Sequence, residues 1–138
     1  MIRTYLLDTN MVSYILKSKS PAARKRLESL TESEAACVST VTEAELRFWV
    51  AKSGAGEKWL RLIEWFLSGI NVYAWGREEA ATFGVLRAKQ EAMGRPLSPF
   101  DMQLAAHAVS LGATLVTRDA AFHHVPDLAG IENWATDM

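Results

Sequence analysis

The chain has 138 residues, 49% of them hydrophobic, with 15 Lys and Arg against 16 Asp and Glu and a formal net charge of −1. That length suits one compact core and leaves nothing for a second, so a single domain over residues 1–138 is expected. A single cysteine, Cys37, excludes an intrachain disulfide framework and a cysteine-built zinc site and fits a reducing cytoplasm. Charges break every apolar run well short of the ~18 residues of a membrane span, and the first residues lack the apolar core of a signal peptide, so no membrane association is expected.

Residues 4–7 read as a strand that runs into Asp8-Thr9-Asn10, and 12–17 as a short helix entered through Thr9 or Asn10 as N-cap. Pro21 opens a second helix, to about residue 30, at a first-turn position where a missing N–H is no loss. Residues 36–39 form a short strand containing Cys37. Thr40 and Glu43 have the spacing of a capping box, which predicts a helix over 41–52 that stops before Gly54-Ala55-Gly56. A fourth helix covers 57–67 and ends at Gly69; with Trp59, Leu60, Leu62, Trp65 and Phe66 it is apolar almost all round, more than one core face can bury. Residues 70–74 follow as a strand, then a long helix over 77–93 closed by Gly94. Ser98 caps another helix, with Pro99 at its first position and Gly112 as its stop. Strands over 114–117 and 131–134 complete the chain. Strands alternating with helices predict an α/β fold: a central parallel sheet of four to five strands covered by helices on both faces, in three layers.

Four acids stand at the boundaries of these elements. Asp8 ends the first strand, where open α/β sheets place their ligand sites, and Asp119 follows the strand over 114–117 in the same way. Asp101 lies in the first turn of its helix, where the helix dipole alone would favour an acid. Glu43 and Glu45 compete for a place because two residues apart on a helix they point about 200° from each other. Glu43 has structural partners at hand in Thr40 and Arg47, whereas Glu45 falls on the stripe of Val41, Ala44 and Phe48, expected to face the core. A carboxylate there needs a cation or donors, so Glu45 is preferred. Four acids converging on one sheet edge need a divalent cation to stay ionised, and an all-oxygen donor set suits Mg²⁺ or Mn²⁺. His107, His123 and His124 build no competing site.

This arrangement resembles the PIN-domain ribonucleases, and among them the VapC toxins of bacterial toxin–antitoxin pairs. The resemblance is carried by Leu7-Asp8-Thr9-Asn10, by Ser39 through Glu45-Leu46, by Gly94-Arg95-Pro96 through Ser98-Pro99-Phe100-Asp101, and by Thr114 through Asp119, in that order. It implies a PIN-like fold in which Asp8, Glu45, Asp101 and Asp119 are the acidic metal ligands and catalytic residues, with Asn10 and Thr117 as polar neighbours behind them. It implies an endoribonuclease that hydrolyses RNA, with tRNA among its substrates, by metal-assisted attack of water, leaving 5′-phosphate and 3′-hydroxyl ends and using Mg²⁺ with Mn²⁺ as a substitute. A VapB-type antitoxin and a toxin homodimer are the implied partners. The chain departs from many relatives in carrying Asp119 where Asn is frequent, and Phe48 and Trp49 where a small residue is frequent.

Charge is compatible with a polyanionic substrate: setting aside the four site acids leaves 12 against 15 Lys and Arg. The basic residues gather as Lys17, Lys19, Arg24, Lys25 and Arg26 and again as Arg87, Lys89 and Arg95. Two other readings fit the sequence less well. A receiver-like Mg²⁺-binding signalling domain would want adjacent acids after its first strand and a late lysine, and no Lys follows Lys89. A catalytically silent PIN fold that only binds RNA or a partner is disfavoured by four intact acids.

Overall fold

A computed structural model describes residues 1–54 and 56–138. Its elements run β1 (Arg3–Leu7), α1 (Thr9–Leu16), α2 (Pro21–Glu28), β2 (Glu34–Ser39), α3 (Thr40–Ser53), α4 (Glu57–Ser68), β3 (Asn71–Tyr73), α5 (Arg77–Ala92), α6 (Pro99–Leu111), β4 (Thr114–Val116), a 3₁₀ turn (Ala120–His124) and β5 (Gly130–Glu132). All five strands are parallel, in the order β3-β2-β1-β4-β5. The expected α/β/α architecture is therefore observed.

Side-chain alternation along β1 builds the layers. Tyr5 and Leu7 point to one face, where Val38 and Val116 join residues of α1, α2, α3 and α4; Leu6 points to the other, with Cys37, Leu115 and the apolar stripes of α5 and α6. Near-complete burial of three consecutive residues, Leu6 to Asp8, follows from the central position of β1. The chain leaves β1 towards β2 and β3 on one side and returns to β4 and β5 on the other. Strand order thus reverses between β1 and β4, and a crevice opens there at the carboxyl ends.

Most expected boundaries hold to within a residue or two, and the exceptions concern caps. Neither Thr9 nor Asn10 caps α1: Asp8 does, its side chain accepting from the Met11 N–H. The capping box of Thr40 and Glu43 does not form. Ser39 caps α3 instead, Thr40 Oγ1 accepts from the Trp75 N–H, and Glu43 pairs with Arg47 at 2.8 Å. The turn expected over residues 52–56 includes Ala55, which lies outside the described residues. Ser98 and Pro99 open α6 as expected, and Gly112 ends it with φ +63°, a left-handed conformation that suits glycine. The last strand is shifted to Gly130–Glu132 because Trp134 is needed elsewhere, buried edge-on against Tyr5.

The stripe of Val41, Ala44 and Phe48 does not face the core. The buried side of α3 carries Thr42 and Leu46, while Ala44 and Phe48 are exposed and Glu45 sits at the margin, half-buried. On α4, Ile63 and Phe66 are buried and Trp65 is left 71% exposed, so the excess apolar surface read from the sequence is partly unpartnered. Much of the Arg87 cluster is paired within the chain, Arg87 to Glu91 and Lys89 to Asp127. Among the described residues no helix is long and apolar enough to cross a membrane.

Candidate active site

β1 delivers Asp8 to the crevice. Its N–H donates to the Val116 carbonyl at 3.0 Å, extending the ladder one residue past β1, and its side chain turns into the gap between β1 and β4. Oδ1 accepts from the Met11 N–H at 2.8 Å and Oδ2 from the Thr117 hydroxyl at 2.6 Å. With only 6% of its surface exposed, the carboxyl is pushed up to about 6, by burial first; the two hydrogen bonds oppose the rise and the charges of Asp101 and Asp119 add to it.

The other two aspartates approach from separate elements. Asp101 is in the first turn of α6, its N–H donating to Ser98 Oγ at 3.3 Å, and its carboxyl is raised by burial, with the Ser98 hydroxyl opposing and Asp119 adding repulsion. Asp119 lies just beyond β4, exposed, and caps the 3₁₀ turn by accepting from the Ala121 N–H at 2.9 Å. Thr117 links the arms: buried, it donates to Asp8 and accepts from the Asp119 N–H at 3.0 Å.

Glu45 reaches the same edge through Thr9. The Thr9 hydroxyl donates to Glu45 Oε1 at 2.6 Å and lies 3.2 Å from Thr42 Oγ1. Glu43 is engaged on the other side of α3 by Arg47, which also reaches Glu64 at 2.6 Å. Asn10 is exposed at the start of α1, and no hydrogen bond joins it to the acids among the described residues. Sequence reading missed Thr9 as more than a cap candidate and missed Thr42 altogether. Their signal is a hydroxyl directly after Asp8 and another three residues before Glu45 on the buried side of α3.

Among the described residues no three His, Cys, Asp or Glu side chains stand close enough to hold a metal ion as they are. The donor chemistry nevertheless fits a hard divalent cation. Three aspartates feel one another's charge, no lysine or arginine among the described residues forms an ion pair with any of them, and all offer oxygen. Repulsion between uncompensated carboxylates also gives a reason for their separation, which a cation would remove.

Comparison with known proteins agrees with this architecture. The PIN domain family model matches residues 5–128. The chain is 36% identical to the tRNA(fMet)-specific endonuclease VapC of Shigella flexneri over 132 residues, covering 95% of this chain and 98% of the relative. Its fold is similar to that of a chain in the crystal structure of VapBC2 from Rickettsia felis bound to a DNA fragment from their promoter, with TM-score 0.88, 30% identity, and 95% and 98% of the two chains covered. A chain of the DNA-bound VapBC structure from Salmonella typhimurium superposes with TM-score 0.87 at 33% identity, over 97% and 99% of the two chains.

Proposed function

The chain belongs to the PIN-domain family, within its VapC ribonucleases, and from that premise we propose that it is the Mg²⁺-dependent endoribonuclease toxin of a toxin–antitoxin pair, with Asp8, Glu45, Asp101 and Asp119 as its catalytic acids and metal ligands. The observation that carries this reading is the Asp8 carboxyl, buried at the switch point of the sheet, raised to about 6, and facing two further aspartates with no cation among the described residues paired to it. A divalent cation held there supplies charge neutralisation and water activation for phosphodiester hydrolysis.

The chain's own groups do the positioning. Met11 N–H and the Thr117 hydroxyl occupy one lone pair on each Asp8 oxygen, fixing the carboxylate plane and leaving its remaining lone pairs towards the crevice. Through its contact with the Asp119 N–H, Thr117 holds the loop after β4 in register with the end of β1. Thr9 orients Glu45 by the same device, so neighbouring residues of one segment support acids from α3 and β1. Asp101 comes from the N-terminal turn of α6, where the helix dipole favours its ionised form against the repulsion of Asp119.

tRNA is the substrate class suggested by the name of the Shigella relative, and translation arrest is the consequence we infer. A VapB-type antitoxin is the inferred partner, as in the VapBC structures, and a homodimer the inferred state of the toxin within that assembly. Exposed Trp65, in the wall of a 470 Å³ groove with Leu27, Leu30 and Ile70, offers apolar surface for an antitoxin segment. The testing experiment incubates purified protein with total cellular RNA in Mg²⁺, in Mn²⁺ and in chelator, beside Asp8→Asn, and maps cut ends by sequencing. Discrete metal-dependent cuts absent in Asp8→Asn are expected; no cuts from folded, metal-loaded, antitoxin-free protein would overturn the reading in favour of a binding-only PIN fold.

A further inference from the structure

Phe48 is a large apolar ring set in water beside the acidic edge, 63% exposed, and phosphodiester hydrolysis gives it no task. It stands on α3 one turn beyond Glu45. Lys52 stands one turn further, with Nζ 5.7 Å from the ring centre. Opposite, α1 presents Asn10 and Ser13, with Lys17 just past its end, and with Phe48 these line a cavity of about 310 Å³ whose wall also includes Thr9 and Glu45. Lys17 Nζ lies 4.2 Å from the ring centre of Trp49, in the same wall. Among the described residues neither Lys17, in the cavity wall, nor Lys52, beside the Phe48 ring and outside that wall, makes an ion pair.

We propose that this cleft is a nucleotide subsite, in which an unpaired base of the RNA strand stacks on Phe48 while Lys17 and Lys52 contact the flanking phosphates. The assignment rests on the ribonuclease reading and adds to it the class of RNA accepted: a strand whose nucleotide next to the scissile bond is unstacked from its neighbours. Three features favour RNA as the occupant. An exposed aromatic face flanked by lysines is the combination with which proteins hold single strands. The cavity has room for a small organic ligand and is continuous, through Glu45 and Thr9, with the acidic edge. A strand that presents a phosphate at Asp8 therefore carries an adjoining nucleotide along this wall. Bases paired in an A-form helix keep their faces stacked and closed to a side chain, which restricts the subsite to loops, bulges and ends.

The experiment uses a short single-stranded oligoribonucleotide containing 2-aminopurine, whose fluorescence is quenched by stacking. It is titrated in Mg²⁺ against the full chain carrying Asp8→Asn to prevent cutting, and cleavage of the same RNA is followed with Asp8 intact. Phe48→Leu keeps an apolar side chain at this exposed position but has no ring; it is expected to weaken binding about 5- to 150-fold and abolish the quench. Phe48→Trp should retain both. Lys17→Ala should lower the slope of log affinity against log salt by about 1. Unchanged affinity and quench in Phe48→Leu, while protein with Asp8 intact still cuts RNA, would overturn the subsite and leave the ribonuclease standing. If Phe48→Leu instead weakened only antitoxin binding, the cleft would belong to the antitoxin and the subsite would equally fall. Failure of the parent protein to bind or cut any RNA in Mg²⁺ or Mn²⁺ would remove the ribonuclease reading, and the subsite with it.

Discussion

Two clusters of acids flank the central strand, and they handle charge in opposite ways. Under α2, Glu34 accepts from the Thr31 N–H at 3.1 Å, the Tyr5 hydroxyl at 2.9 Å and Arg26 Nη2 at 3.2 Å, and these donors hold its carboxyl down at about 2. Glu132 shares the same guanidinium at 3.8 Å, and Arg26 in turn lies over the rings of Tyr5 and Trp134. At the carboxyl edge, Asp8 has two donors but no paired cation among the described residues, and its carboxyl is displaced upward to about 6. The contrast separates acids that stabilise the fold from acids held in readiness. Compensation is complete where the protein needs a joint and withheld where an external cation must enter.

Asp8→Asn breaks the contrast most directly and carries the largest expected effects. Cleavage should fall on the order of 10³-fold or more, because the buried charge proposed to hold the cation is gone. The same change should stabilise metal-free protein. A native carboxyl at about 6, against 3.8 when unfolded, means that the native state binds more protons across that window, so stability declines as pH rises from about 4 through 6 and stays low above it. Relief of that penalty is worth about 2 to 3 kcal/mol at pH 7.5. Thermal melts in chelator should show Asp8→Asn with the higher Tm at pH 7.5 and no advantage near pH 4. Saturating Mg²⁺ should close that gap, raising parent stability by about 2.7 kcal/mol at a hundredfold excess over Kd and leaving the variant unmoved. A parent protein whose melt ignored Mg²⁺ would contradict the view that charge is withheld for a cation.

Thr117→Val sharpens the comparison with a smaller change. It preserves shape in the buried gap but deletes the donor to Asp8 and the acceptor of the Asp119 N–H. The expected result is a 10- to 100-fold loss, by order of magnitude, in metal affinity or cleavage, the usual consequence of removing a group that orients a ligand. Titrating Mg²⁺ against activity distinguishes the two. Rescue of the rate at high Mg²⁺ assigns the loss to affinity, while a depressed plateau assigns it to alignment of the β4 arm.

The sheet, the layers and the boundaries of most helices are legible in the sequence because each depends on local signals: apolar runs of strand length, Pro21 and Pro99 at helix starts, Gly69, Gly94 and Gly112 at helix ends. Asp8 and Asp119 are legible as crevice residues for the same reason, each following a strand. What escaped depends on contacts between distant segments. The box of Thr40 and Glu43 satisfies local spacing, yet Thr40 is taken by Trp75, 35 residues away, leaving Ser39 to cap. The choice of Glu45 over Glu43 came from a stripe that proved to be exposed. The engagement of Glu43 by Arg47, the other ground for that choice, does form, and what supports Glu45 in place of the stripe is Thr9, brought across from α1. The same stripe assigns Phe48 to the core, and its exposure beside the acids, on which the proposed subsite rests, is visible only in the structure.

Arg26→Met tests the compensated side and should have the smallest effect. A methionine retains much of the apolar stem over Tyr5 and Trp134 while removing the charge between Glu34 and Glu132. Part of the guanidinium is in solvent, so screening limits the loss to about 1 kcal/mol at neutral pH. The pH dependence runs opposite to that of Asp8. Glu34 has a native carboxyl near 2 against 4.5 when unfolded, so its stabilising contribution is present above about 4.5 and is lost as pH falls through 2. The Tm gap between parent and Arg26→Met should therefore narrow on acidification, whereas the gap between parent and Asp8→Asn narrows because the parent itself gains stability. Cleavage per folded molecule should be unchanged in Arg26→Met, since its partners lie under α2 and none is an acid of the crevice. A loss of cleavage with the fold intact would mean that charge on the two sides of β1 is coupled, and that the sheet does not insulate its site from its joint.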